Sequence, residues 1–222
     1  MAHPQVVQAL PDKELHYFDR FYAGGFTAAD VAAYHSYFPR RGEQQTGEWT
    51  PLYMSAPWIP PLLSRAAPQA RLLVLLRDPV ERYLSALELN AKVAARRGAP
   101  LSRYGPLEAF SRGFYHRQLV DLLRYFDRSQ LLLLQYERCN ADPRPELRRT
   151  YEFLGLGDVG FTPNLSAHPR AQPDKPTLDD GARAAYASAY RDDVRALIAA
   201  FPEIDVTLWP NFAHLTQRAT AR

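Results

Sequence analysis

The chain has 222 residues, a formal net charge of +3 and 46% hydrophobic residues. This length predicts one domain over residues 1–222 with a core that needs no metal, and the single Cys139 excludes an intramolecular disulfide. The small net charge does not indicate nucleic-acid binding, and no stretch approaches the roughly 20 apolar residues of a membrane span. No signal peptide is visible, so we expect a cytoplasmic protein. No metal site is expected, and the sequence does not indicate an oligomeric state.

Two short apolar runs predict β-strands, Leu72–Leu76 and Leu131–Gln135. Continuous apolar runs of this length between turn residues are typical of parallel strands that are buried on both faces. A third short strand is expected at residues 15–18. Apolar residues at helical spacing predict helices over residues 27–38, 80–95, 115–126, 145–154 and 179–201.

Local signals predict where some of these elements begin and end. Thr27 and Asp30 predict a capping-box start, and Gly155 is expected to end the helix before it. The Pro-rich segments 39–61 and 160–176 are expected to be irregular functional loops. The alternation of strands and helices predicts an α/β fold in which helices cover both faces of a parallel sheet. Ligands of such sheets bind at the carboxyl ends of the strands.

The segment that follows the first apolar run carries the strongest chemical signal. The run ends at Arg77, and Asp78 and Pro79 suit the N-cap and the first position of the next helix. A guanidinium from Arg77 and a hydroxyl from Ser85, converging on one anion, would suit a phosphate monoester. The spacing alone leaves an ordinary strand-to-helix junction with a surface arginine equally open.

The pattern R-x-P-x-x-R-x-x-S from Arg77 to Ser85 resembles the segment with which sulfotransferases hold the 3′-phosphate of 3′-phosphoadenosine 5′-phosphosulfate (PAPS). Further stretches resemble, in order, the heparan-sulfate branch of that family and its bacterial relatives. They are residues 2–6, 13–19, 47–54, 113–115, 130–137, 153–156 and 208–210. The resemblance implies a P-loop-nucleotide-kinase-like fold and PAPS as the donor. It also implies sulfuryl transfer to a hydroxyl or amine of a glycan or small-molecule acceptor.

The resemblance also implies roles for single residues. Arg77 and Ser85 would bind the 3′-phosphate. Glu14 would be the general base, with Lys13 beside it. His16 is a rival base, because on a strand it would share a face with Glu14.

Two further sites depart from the pattern of the family. Trp49 stands where the heparan-sulfate branch has a lysine. It would line an acceptor pocket for an apolar or aromatic substrate, or pack in the core. Arg170 and Lys175 are the only arginine and lysine in the stretch 164–175, which corresponds to the cofactor-closing loop of the family, and they would contact PAPS.

The first strand of the family and its glycine-rich loop for the 5′-phosphosulfate have no counterpart in this sequence. Gly24 and Gly25 follow no strand and precede no Lys/Arg-Ser/Thr pair. We therefore expect an N-terminally truncated sulfotransferase-like domain that is inactive as it stands. Two alternatives stay open. One is a non-catalytic relative that binds a nucleotide or a partner, and the other is an unrelated parallel α/β nucleotide-binding protein such as a kinase.

Overall fold

The computed structural model describes residues 3–8, 14–38, 42, 44–98, 100, 102, 105–157 and 178–215. The predictions made for Lys13, Arg170 and Lys175, and for the loop 160–176, fall outside the described residues. None of the described helices is long and apolar enough to cross a membrane.

The described strands form two small sheets. Strand β1 (Val6–Gln8) pairs in parallel with β2 (Gln45–Gly47), and β3 (Leu72–Leu76) pairs with β4 (Leu131–Gln135). Both predicted apolar strands are confirmed with the expected bounds. With the helices they form a mixed α/β fold, as predicted.

Two expectations about the strands are wrong. Leu73 and Leu75 of β3 are 44% and 51% exposed, so this strand is fully buried only on the face of Val74 and Leu76. The reason is the alternation of side chains along a strand, since one face is packed and the other is not. Residues 15–18 form no strand. They lead through a turn into a 3-10 helix at Asp19–Phe21.

Nine α-helices are present in the described part of the chain. They are α1 (Ala28–His35), α2 (Leu52–Ser55), α3 (Ile59–Ala66), α4 (Pro79–Arg97), α5 (Gly105–Ser111), α6 (Tyr115–Leu122), α7 (Tyr136–Ala141), α8 (Pro143–Leu154) and α9 (Asp180–Ala200). The five predicted helices are confirmed, although α1 and α6 end a few residues early. The irregular loop expected at 39–61 is wrong in part, because β2, α2 and the start of α3 lie there.

Capping chemistry explains several helix boundaries. The Thr27 side chain accepts from the backbone N–H of Asp30, and the Asp30 carboxylate accepts from the backbone N–H of Thr27, so the predicted capping box is formed. Gly155 follows α8 with a φ of +69°, which favours glycine because it has no Cβ. Asp78 caps α4 and Pro79 takes its first position, as predicted.

The chain divides into two compact units. The first contains Met1–Val74, Gln118–Leu132 and Pro143–Ala167, and the second contains Leu75–Arg117, Leu133–Asp142 and His168–Arg222. Each has an aromatic core. In the first, the rings of Phe18 and Tyr34 lie 4.7 Å apart, and in the second those of Phe110 and Tyr190 lie 4.8 Å apart. The expectation of one domain over residues 1–222 stays a prediction.

Candidate active site

Arg77 lies at the carboxyl end of β3, in the second unit, and its contacts fix its position. Its backbone carbonyl accepts a hydrogen bond from the Tyr115 hydroxyl at 2.9 Å. Its guanidinium carbon lies 4.7 Å from the ring centroid of Tyr136, a cation–π contact. Burial raises the pKa of Tyr115, so its hydroxyl remains a donor. The Arg77 side chain is only 17% exposed, which leaves little room for other conformations.

Asp78 ties this junction to a distant segment of the chain. One carboxylate oxygen, Oδ1, accepts from the backbone N–H groups of Val80 and Glu81 at 2.9 and 3.3 Å. The other, Oδ2, accepts from the backbone and the side-chain amide of Asn211 at 3.0 and 2.9 Å. Burial raises the pKa of Asp78, and these hydrogen bonds oppose that shift. The carboxylate therefore holds the start of α4 to the segment after α9.

Glu137 makes a second tie to the same segment. Its Oε1 accepts from the backbone N–H of Asp78 at 2.9 Å, and its Oε2 accepts from Nε1–H of Trp209 at 3.1 Å. No sequence pattern assigned a role to Glu137 or Asn211. The position of Glu137, just after β4, is a signal that could have identified it, because polar groups at the carboxyl ends of strands form ligand sites.

Glu81 lies between two arginines on this part of the second unit. Its carboxylate is 4.0 Å from Nη2 of Arg77 and accepts from Nη1 of Arg183, on α9, at 2.7 Å. Ser85 follows Glu81 by four residues on α4, so the two side chains project from the same face. The predicted convergence of Arg77 and Ser85 on one anion stays a prediction. No sequence signal identified Arg183.

The first unit brings together Glu14, His16 and a carboxylate that the sequence analysis did not single out, Asp19. Nε2 of His16 is 3.2 Å from Oε2 of Glu14, and Nδ1 is 2.8 Å from Oδ2 of Asp19. The three side chains are 35%, 48% and 32% exposed, in chain order. Glu14 and His16, which strand alternation would have left as rivals, are therefore direct partners. The signal for Asp19 was its place three residues after His16 in the family-like stretch.

A polar chain fixes the backbone under this cluster. The backbone N–H of His16 donates to Oγ1 of Thr50 at 3.4 Å, and Thr50 donates to Glu48 at 2.7 Å. Tyr34 donates to the other oxygen of Glu48 at 2.8 Å. Trp49 lies between Glu48 and Thr50 in sequence. Its side chain is 58% exposed, which excludes the core-packing role that the sequence left open.

Comparison with solved structures identifies a protein that has a similar fold. The chain is similar to a solved sulfotransferase from Alicyclobacillus acidocaldarius, with a TM-score of 0.72, covering 93% of this chain and 89% of that one at 21% identity. The chain therefore shares the fold of that protein, which is P-loop-like.

Sequence comparison identifies the family directly. The profile of the Sulfotransferase family matches residues 16–159. Human heparan sulfate glucosamine 3-O-sulfotransferase 6 is 34% identical over 169 residues, which are 71% of this chain and 47% of that protein. Mouse heparan sulfate glucosamine 3-O-sulfotransferase 3A1 is 34% identical over 168 residues, 70% and 40% of the two chains. The chain belongs to the sulfotransferase family, and it spans less than half the length of these curated relatives.

Proposed function

We propose that this protein transfers a sulfuryl group from PAPS to a hydroxyl or amine of a glycan or small-molecule acceptor, with Glu14 as the general base. Membership of the family supports the reaction class. The observation that carries the assignment of the base is the contact between Glu14 and an imidazole that is itself oriented by Asp19. The names of the heparan sulfate relatives make a sugar hydroxyl one candidate acceptor. The cytoplasmic location expected from the sequence stays a prediction.

The residues of the second unit suit the 3′-phosphate of the donor. Arg77 is held by Tyr115 and Tyr136, and among the described residues its guanidinium donates no hydrogen bond to another side chain. A phosphate oxygen would satisfy those donors with charge-assisted hydrogen bonds. Bound PAPS supplies the sulfuryl group, so that a bond forms from sulfur to the acceptor atom, the sulfur–oxygen bond to the phosphate breaks, and adenosine 3′,5′-bisphosphate leaves.

The side chains of the first unit handle the proton that the acceptor loses. Glu14 takes this proton on a carboxylate oxygen while the acceptor attacks. Asp19 accepts from Nδ1–H of His16, which fixes the tautomer and turns Nε2 toward Glu14. A hydrogen bond along the line from Nε2 to Oε2 needs one proton on one of the two atoms. His16 can therefore share the proton that Glu14 receives.

The test is the substitution Glu14→Gln, made in a form of the protein that carries a glycine-rich loop for the 5′-phosphosulfate, because the 222-residue sequence has no counterpart of that loop and is expected to be inactive without it. We expect kcat to fall about a hundredfold or more, because the amide cannot accept the proton. The Kd for adenosine 3′,5′-bisphosphate should not change, since that ligand carries no acceptor. Steady-state turnover with PAPS and isothermal titration calorimetry measure the two quantities. The matched control is Glu152→Gln, the same substitution at an exposed glutamate of the first unit, which should leave kcat and the Kd unchanged.

Two outcomes would contradict the assignment. Full turnover by Glu14→Gln together with loss of turnover by His16→Ala would transfer the role of base to His16. Binding of adenosine 3′,5′-bisphosphate by the loop-containing form, with no turnover of PAPS on any acceptor, would favour the non-catalytic alternative.

A further inference from the structure

The second unit contains a carboxylate with an arginine on either side. Glu81 accepts from Arg183 at 2.7 Å, and its other oxygen is 4.0 Å from Arg77, too long for a hydrogen bond. The side chains of Arg77, Glu81 and Arg183 are 17%, 20% and 35% exposed, so the group lies near the surface without being fully solvated. Two guanidinium groups thus face one carboxylate, and only one of them makes a close hydrogen bond with it.

Arg183 is held in this position from a second side. Its Nη1 also donates to Oδ1 of Asn211 at 3.1 Å. Asn211 in turn donates twice to Asp78, the N-cap residue that follows Arg77 in sequence. Arg183 is therefore positioned relative to the junction that carries Arg77, although it lies on a different helix and far away in sequence.

This geometry suits a phosphate monoester better than a carboxylate. A phosphate carries up to two negative charges and three acceptor oxygens, and each guanidinium can donate two parallel hydrogen bonds to such a group. A single carboxylate satisfies Arg183 closely and Arg77 only at a distance. A larger dianion between the two arginines would contact both. Ser85, on the same face of α4 as Glu81, would add a hydroxyl donor.

We propose that Arg183 is a second phosphate-binding arginine, which acts with Arg77 on the 3′-phosphate of the nucleotide, and that Glu81 occupies this place when no nucleotide is bound. The inference rests on the proposed function, since it takes the 3′-phosphate as the ligand. It adds a binding residue from α9 and a competing internal carboxylate to that function.

A purely structural ion pair between α4 and α9 makes a different prediction. In that case Arg183→Ala and Glu81→Gln break the same bond, and both should destabilise the protein and affect nucleotide binding in the same direction. In the proposed site the two substitutions act in opposite directions, because one removes a phosphate ligand and the other removes the competitor of the phosphate.

The experiment is calorimetric titration of the full chain and its variants with adenosine 3′,5′-bisphosphate and with adenosine 5′-monophosphate, which lacks the 3′-phosphate. We expect Arg183→Ala to weaken binding of the bisphosphate about tenfold to a hundredfold, the loss of one charge-assisted hydrogen bond or more. Binding of the monophosphate should hardly change. Glu81→Gln should bind the bisphosphate as tightly as the unchanged chain or more tightly. Arg195→Ala, an exposed arginine on the same helix, is the control for the loss of one charge.

The possible results separate this inference from the function on which it rests. If Arg183→Ala matches Arg195→Ala while Arg77→Ala loses affinity for the bisphosphate, the inference fails and the proposed function stands. If the unchanged chain does not bind the bisphosphate, or Arg77→Ala binds it normally, both fail. If Glu81→Gln weakens binding as much as Arg183→Ala, with an equal drop in thermal midpoint, the ion pair is structural and the inference is overturned.

Discussion

His16 has a φ of +50°, a left-handed conformation that costs a non-glycine residue about 1 kcal/mol or more. The contacts of its ring with Glu14 and Asp19, and of its backbone N–H with Thr50, hold this conformation. Backbone strain of this kind is concentrated at functional sites, where the surrounding structure determines it. The backbone strain and the two carboxylate contacts therefore both support a role of His16 in proton transfer.

This conformation allows a substitution that separates catalysis from folding. Asparagine tolerates a left-handed backbone but has no imidazole, so His16→Asn should keep the thermal midpoint and lower kcat about tenfold to a hundredfold. Asp19→Asn should lower kcat in the same direction, and the double variant should lose less than the product of the single losses, because the two residues act together. Thermal unfolding and steady-state turnover measure these effects. Additive losses would show that Asp19 does not act through His16.

Trp49 offers a test of acceptor preference. An exposed indole presents an apolar face, and one aromatic contact is worth about 1 kcal/mol. We expect Trp49→Ala to raise the KM of an apolar or aromatic acceptor by about three- to tenfold, with kcat and nucleotide affinity unchanged. Trp49→Lys should shift preference toward anionic acceptors. Tyr22→Ala, which removes another exposed aromatic side chain of the first unit, is the control. An equal KM for Trp49→Ala and the unchanged chain would exclude a role in acceptor binding.

Some of these residues could be predicted from sequence and others could not. Asp78 and Thr27 were predictable because an N-cap depends on a few neighbouring residues. Arg183 was not, since its contact with Glu81 spans 102 positions. The pairing of His16 with Asp19 was obscured by the strand expected at residues 15–18, because a left-handed histidine has no sequence signal.

At the scale of elements, two aspartates that accept hydrogen bonds from the start of a helix have pKa shifts of opposite sign. Asp193 accepts from the backbone N–H groups of His116 and Arg117 in the first turn of α6, and burial raises its pKa. Asp30 accepts from Thr27 in the capping box of α1, and the side-chain hydrogen bond from Thr27 lowers its pKa. Their contributions to the free energy of unfolding should therefore depend on pH in opposite ways.

The signs follow from the ordinary value of 3.8 for both groups. The stability due to Asp30 is present above pH 3.8 and is lost as the pH falls through its lowered folded pKa. The stability due to Asp193 is present below pH 3.8 and is lost as the pH rises through its raised folded pKa. Urea unfolding of Asp30→Asn and Asp193→Asn against the unchanged chain, from about pH 3 to about pH 7, measures both. Slopes of the same sign would contradict the prediction.

Strands were predictable when they were apolar and were missed when they were not. β3 and β4 were found because five consecutive positions carry almost only aliphatic residues. β1 and β2 have three residues each, and β2 contains a glycine and two polar residues. Their pairing comes from the register that places Val6 opposite Gln45, which is a long-range contact and not a local preference.

At the scale of the whole molecule, Glu14, His16 and Asp19 belong to the first compact unit, and Arg77, Glu81 and Arg183 belong to the second. The family, the α/β class and the order of the matching stretches could be predicted from the sequence, because they depend on the chain as a whole. The exposed face of β3 could not, because burial on a given face depends on which elements pack there. The chain spans less than half the length of its curated relatives, so their acceptors are proposals for this protein.

The left-handed backbone at position 16 also restricts which substitutions of His16 can accumulate in the gene during evolution. A histidine codon becomes an asparagine or an aspartate codon through a single base change, and both residues tolerate a positive φ. The mutations that the loop accepts most easily are thus ones that remove the imidazole. A descendant gene that has lost selection for turnover should keep a folded loop and carry one of these two residues. Among related genes, the identity of residue 16 then distinguishes those that encode an active protein from those that have lost selection for turnover.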